Sequence, residues 1–254
     1  MEFDSIKVRK ISDSIVDQLE RMILDGVLKP GDQLPPEREL ASQLNVSRPS
    51  LREAIVVMEA KGLLQVRRGG GTFVADIVAH TIVDPLVHLL KKHPEATFDV
   101  MELRLSLEEV AAYYAALRAN EADREILGRR FEALDLSYAA KDIGENAKAD
   151  VEFHLAIADA SHNVALVHVM RGLFNLLRVT ILNNLEMINR EPDGEAIVRG
   201  QHRKLFNAIV AGEAEAAREA AHTHLRFVAA TLREAIKQTD REKRSRRRLR
   251  NLVE

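Results

Sequence analysis

The chain has no cysteine, which excludes disulfides and thiolate zinc sites. No apolar run approaches the roughly 18 residues that would suggest a membrane span, and no secretory signal is recognisable. Secretion and membrane insertion are therefore not expected, and the cytoplasm is the expected location. An excess of either charge is also missing, since the formal net charge is −2 over 254 residues. A uniformly basic surface cannot be what selects a partner. What matters is where the cations sit, because phosphate attraction is screened within about 10 Å at moderate salt. Residues 1–75 carry 11 Lys and Arg against 11 Asp and Glu, whereas residues 76–240 carry 19 against 26, a net of −7. The stretch 241–250 holds seven basic residues and one Glu.

With 46% hydrophobic residues the chain can bury a sizeable core, and its length allows one or two domains. The character of the sequence changes near residue 76, which favours two. Residues 1–76 are expected to form the first, 77–84 a linker, 85–238 the second, and 239–254 a basic, flexible tail.

The most informative stretch runs from Leu34 to Val74. Before it, apolar Ile15, Val16, Leu19, Met22 and Ile23 predict a helix from Ser12, as N-cap, to Asp25, with Gly26 as its stop. Pro30-Gly31 turns the chain. Pro35 and Pro36 precede a short helix whose Glu37 and Glu39 suit the positive end of the helix dipole. Asn45-Val46-Ser47 reads as the turn of a helix-turn-helix. A second helix starts at the N-cap Ser47 and runs to about Lys61, burying Leu51, Ala54, Ile55 and Met58. That stripe leaves Arg48, Ser50 and Arg52 outward at the N-terminal end, where a recognition helix enters a major groove. Arg38 is placed to hold backbone phosphate. Leu63 to Val66 and Thr72 to Val74 read as two strands joined by Arg67-Arg68-Gly69-Gly70-Gly71, a tip suited to a minor groove. Any one of these arginines alone would more simply be a solvated surface residue. Together they fall at N-cap, turn and wing positions in the order that a winged helix-turn-helix requires. The unit is also too small, and too short of glycine-anchored phosphate loops, to be a catalytic domain.

Beyond it, sheet-type alternation is missing. Apolar residues recur at helical spacing through 101–117, 126–140, 149–161, 165–185, 198–211 and 214–236, with breaks at Gly144, Pro192-Asp193-Gly194 and Gly212. The expected fold is mainly α: the winged helix-turn-helix followed by an all-α bundle of six or seven helices, whose ligands would bind between inward-facing side chains. Asp150 and His154, four residues apart, share one helix face. His202 lies on another helix, and His222 and His224 on a third. Imidazoles and a carboxylate from separate helices suit a divalent ion such as zinc or nickel. Arg104, in a mostly apolar helix, needs an anion if buried; Glu108, one turn on, is the ordinary partner.

The segments LPPERELASQLNVSRPSLREAI and GLLQVRRGGGTFV resemble the DNA-binding domain of the GntR family of bacterial transcription regulators. That resemblance implies operator contacts from Arg38, Ser47, Arg48, Ser50 and Arg52, with Arg68 and Gly69 in the minor groove. Pro49 departs from members that carry a hydroxyl residue there. The remainder resembles the FCD ligand-binding domain of the FadR subfamily. This implies Asp150, His154, His202 and His224 as metal ligands and Arg104 as the group that holds an effector carboxylate. His222, about 200° around the helix from His224, points elsewhere. The stretches VDPLVHLLKKHPE and RLSLEEVAAYYAALRA are similar to pyruvate- and lactate-responsive members. They imply a small monocarboxylate effector, a homodimer on double-stranded operator DNA, and a repressor. The presence of Asp150 and His154 leans toward lactate or glycolate, since some pyruvate-sensing members lack the equivalents.

Two other functions fit the residues less well. A metalloenzyme fused to a DNA-binding module would need a general base; no Glu or His is obviously placed for that role and the metal reading uses the best candidates, so no catalytic residue is expected. A membrane-targeting role for the Arg-rich end would need interleaved apolar residues, which 241–250 lacks.

Overall fold

A computed structural model describes residues 10–67, 69–75, 96–140, 142–191 and 193–250. The expected wing contact Arg68, the expected linker and the start of the second domain lie outside the described residues. The chain divides into two compact units, residues 1–82 and 83–254.

In the first unit, α1 (Ile11–Leu24), α2 (Glu37–Gln43) and α3 (Arg48–Ala60) are followed by β1 (Leu64–Arg67) and β2 (Gly71–Val74). The strands pair antiparallel, with Leu64 opposite Val74 and Arg67 opposite Gly71. Ile15, Val16, Leu19, Leu40, Leu51, Ala54, Ile55 and Met58 form a shared core. One expectation fails in detail: Ser12 is not the N-cap of α1. The helix begins one residue earlier, with Lys10 at the cap and no side-chain capping bond. Ser12 is instead buried and hydrogen-bonded to Glu53 of α3, which also pairs with Lys10 at 3.0 Å. Packing against α3, unreadable from local sequence, takes the hydroxyl that would have capped.

The turn between α2 and α3 relies on Asn45, which adopts φ +52°, a conformation that asparagine tolerates better than most residues. Ser47 then caps α3, accepting from the Ser50 backbone N–H at 3.3 Å. Replacing Ser47 with Ala is expected to cost about 1 kcal/mol, read as a lower urea midpoint with unchanged slope.

The second unit holds α4 (Thr97–Arg118), α5 (Glu121–Ala140), α6 (Ile143–Ala160), α7 (Val164–Ile188), α8 (Gly194–Val210) and α9 (Ala214–Arg250). Side-chain caps start α6 and α7: Asp142 accepts from the Gly144 and Glu145 N–H groups, and Asn163 from that of Leu166. Gly144, read from sequence as a break, therefore lies in the first turn of α6. Helix α4 packs against α6, α7, α8 and α9, and α5 against α6 and α8. Phe153, Met170, Leu177, Leu205 and Ile209 are fully enclosed between them. In place of the flexible tail expected from residue 239, α9 continues to Arg250. Lys and Arg are good helix formers, so the basic run can extend a helix already started by packing. Among the described residues no single helix is long and apolar enough to cross a membrane.

Candidate metal and effector site and candidate DNA-binding face

Three helices bring their side chains to a buried polar centre in the second unit. From α6, Asp150 and His154 project from one face, as their four-residue spacing demands; α8 supplies His202 and α9 supplies His224. All four are buried. The three imidazoles each offer a nitrogen within 4.8 Å of the others. His154 Nε2 lies 3.2 Å from His202 Nε2, and Asp150 Oδ1 is 3.4 Å from His202 Nε2 and 3.9 Å from His154 Nε2. The residues that the resemblance grouped are thus brought together. His222 is not among them: it is partly exposed, with its Nδ1 2.7 Å from Glu109.

The outer ring nitrogens are each held by a residue that sequence reading did not assign to this role. His154 Nδ1 meets Glu108 at 2.6 Å, His202 Nδ1 meets the Tyr138 hydroxyl at 2.9 Å, and His224 Nδ1 meets Gln201 Oε1 at 3.1 Å. An ionised carboxylate and an amide oxygen can only accept. With Nδ1 facing these acceptors, His154 and His224 turn Nε2 inward, toward His202. Converging lone pairs repel unless a cation or proton lies between them. Partners that orient ligating imidazoles from outside are the usual support of a metal ion. Burial first, then neighbouring positive charge, pushes His202 and His224 well below the ordinary histidine range, toward the neutral form that ligates metal. Burial raises Asp150 against the opposing pull of His154 and Arg104, and a divalent ion there would reverse that shift. The donor set and its burial fit a divalent metal.

Arg104 stands beside this centre on α4, 2% exposed. Its Nε meets Glu108 at 2.5 Å, and its guanidinium lies 5.1 Å from the Phe174 ring centre. The ordinary partner named from sequence is thus present, but in a buried three-way arrangement of Arg104, Glu108 and His154. Burial alone would push the Glu108 carboxyl up; Arg104, then His154, outweigh it and hold it at about 2. Arg104, Asp150 and His224 also line a cavity with Asn184 of α7 and apolar residues that include Ile181 and Val228. The cavity measures about 10 Å³, room for about one water. A wider groove of about 880 Å³ along α8 and α9 is lined by alanines interspersed with polar and charged residues such as Gln201, Lys204 and Glu219, and it brings no imidazole or buried arginine together, so the small cavity is the candidate site.

In the first unit, Arg38, Ser47, Arg48 and Arg52 are exposed. Ser47 Oγ lies 2.8 Å from Ser50 Oγ. Glu37 of α2 reaches Arg52 at 2.7 Å and Arg48 at 3.8 Å, so α2 orients the arginines of the first two turns of α3. At the wing, Arg67 stacks over Phe73 at 4.4 Å, Gln33 donates to the Gly70 carbonyl at 3.0 Å, and exposed Gly69 adopts φ +72°.

A helix-turn-helix with a two-stranded wing, joined to a helical unit with a buried polar centre, defines a DNA-binding transcription regulator rather than an enzyme. Residues 11–74 match the gntR family of bacterial regulatory proteins, and residues 99–227 match the FCD domain. The chain belongs to the GntR family, with an FCD domain as its second unit. It is 39% identical to the "Putative L-lactate dehydrogenase operon regulatory protein" of Escherichia coli (strain K12), over 89% of this chain and 87% of that one. It is 33% identical to the Glc operon transcriptional activator of the same strain, over 87% and 88% respectively. Among solved structures, "Streptococcus agalactiae GntR" aligns with TM-score 0.51 and 26% identity, covering 87% of this chain and all of that one.

Proposed function

We propose that the protein is a repressor that binds a pseudo-palindromic operator as a homodimer and is released when a small monocarboxylate of the pyruvate or lactate type enters the metal-containing helical domain. The observation that carries this reading is the cavity bounded by Arg104, Asp150 and His224. There a metal held by Asp150, His154, His202 and His224 would act as Lewis acid toward one end of an organic acid while Arg104 pairs with its carboxylate. Zinc suits this donor set best, with nickel the next candidate. A three-carbon acid is larger than one water, so its entry must part the surrounding helices. That displacement gives effector binding a conformational consequence.

Arg38, Ser47, Arg48, Ser50, Arg52, Arg68 and Gly69 are the proposed operator contacts, with α3 in the major groove and the wing glycines against the minor groove. Two copies double the number of bases that one short helix reads. Arg48→Ala is expected to weaken operator binding by about 1–3 kcal/mol per half-site, measured by fluorescence anisotropy at fixed salt.

The test of the whole reading is operator affinity of the metal-loaded protein, on a duplex selected from random DNA, with pyruvate, L-lactate, D-lactate or glycolate added in turn. One acid should weaken binding by roughly 5- to 150-fold. Unchanged affinity with all four would remove the small-acid sensor. A second reading, an activator that answers to glycolate, draws on the likeness to the Glc operon transcriptional activator. Run-off transcription from a promoter that carries the selected operator separates the two by the sign of the response.

A further inference from the structure

Asn184 lies on α7 in register with Ile181, Leu185 and Ile188, on the face that the helix turns into the bundle. It is 2% exposed, and neither its Nδ2 nor its Oδ1 has a hydrogen-bond partner among the described residues. Buried amides are nearly always paired, and each exception calls for a reason. Here the amide borders the same cavity as Arg104, Asp150 and His224.

What the amide lacks defines what it would bind. Arg104 and a metal ion both seek acceptor atoms, which a carboxylate or a ketone supplies. The Asn184 Oδ1 is an acceptor and needs a donor, and its Nδ2 has two hydrogens that need acceptors. A 2-oxo acid brings acceptors only, and would leave Oδ1 buried and unpaired. A 2-hydroxy acid brings an O–H that satisfies Oδ1 and oxygens that satisfy Nδ2. We propose that Asn184 reads the hydroxyl of a 2-hydroxycarboxylate effector and discriminates against the corresponding 2-oxo acid. This rests on the effector reading of the cavity given above and narrows it from the pyruvate or lactate type to hydroxy acids. Apolar pockets separate analogues weakly, whereas a buried polar group left unpaired by the wrong ligand separates them strongly.

The experiment is calorimetric titration of the metal-loaded full-length protein with two matched pairs, L-lactate against pyruvate and glycolate against glyoxylate. The wild-type chain should bind the hydroxy member of at least one pair about tenfold or more tightly than the oxo member. Asn184→Leu, close in volume and free of the unpaired amide, should fold with an unchanged or raised unfolding midpoint. It should lose about tenfold in hydroxy-acid affinity, with oxo-acid affinity changed less than threefold. Asn184→Ala gives the same comparison should Leu fail to pack. Equal binding of both members by the wild-type chain, or a preference that survives in the variants, overturns the assignment while leaving the effector site standing. Binding of none of the four acids by the wild-type chain overturns the effector reading and the Asn184 role together.

Discussion

Arg104→Ala should destabilise the helical unit by about 3–5 kcal/mol, the cost of leaving a buried charge without its partner. Glu108 is 4% exposed, and its carboxylate is shared between Arg104 Nε and His154 Nδ1. Without the guanidinium, the contact to His154 at 2.6 Å remains, so the loss should fall at the lower end of that range. Replacing both members, Arg104→Met with Glu108→Leu, should recover part of it, because burial of apolar groups of similar size avoids desolvating charge, while His154 Nδ1 loses the acceptor that Glu108 supplies. Urea unfolding of the chelated single and double variants checks this, and a single-variant cost below about 1 kcal/mol would mean that the pair is not the buried unit described here. The same contacts predict an acid dependence. The folded Glu108 value, about 2, lies below its ordinary 4.5, so its contribution is fully present above pH 4.5 and is lost as pH falls from there toward 2. That acid-sensitive component should vanish in the double variant.

The second large effect concerns the histidine centre. Chelation is expected to lower the thermal midpoint of the helical unit by about 5–10 °C. A ligand that binds only the folded state contributes about 2.7 kcal/mol at a hundredfold excess over its dissociation constant, and each kcal/mol moves the midpoint by roughly 2–4 °C for a unit of this size. His202→Ala should abolish both the bound metal, measured by elemental analysis, and the response to chelator. His222→Ala should change neither, because that ring pairs with Glu109 outside the centre. Tyr138→Phe should weaken metal binding by about tenfold or more, since it removes only the group that orients His202. A chelator response that persists in His202→Ala would place the metal elsewhere.

Much of the operator-facing unit was legible along the chain because helix caps, turns and hairpins are local. Ser47 as cap, the buried stripe of Leu51, Ala54, Ile55 and Met58, and the wing hairpin all follow from residues within a few positions of one another. The departures arise where a distant element intervenes. Ser12 is taken by Glu53, 41 positions away, and the basic run after residue 238 prolongs α9.

The same division runs through the ligand site. Asp150 and His154 could be paired from spacing alone, since positions i and i+4 share a helix face. Their union with His202 and His224 came from resemblance. The holders of the ring nitrogens came from neither, because Tyr138 and His202 are 64 positions apart and meet only when α5 packs on α8. Asn184 left a faint local trace, a polar residue on an apolar helical face, but its unpaired amide has meaning only beside the cavity that α4, α6 and α9 complete. By itself the sequence determined the helical periods, the caps, the recognition helix and the family, all encoded in short-range patterns. Tertiary structure alone decided which side chains share a buried centre, because helix packing, not spacing along the chain, sets the distances at which charges, lone pairs and unpaired amides act on one another.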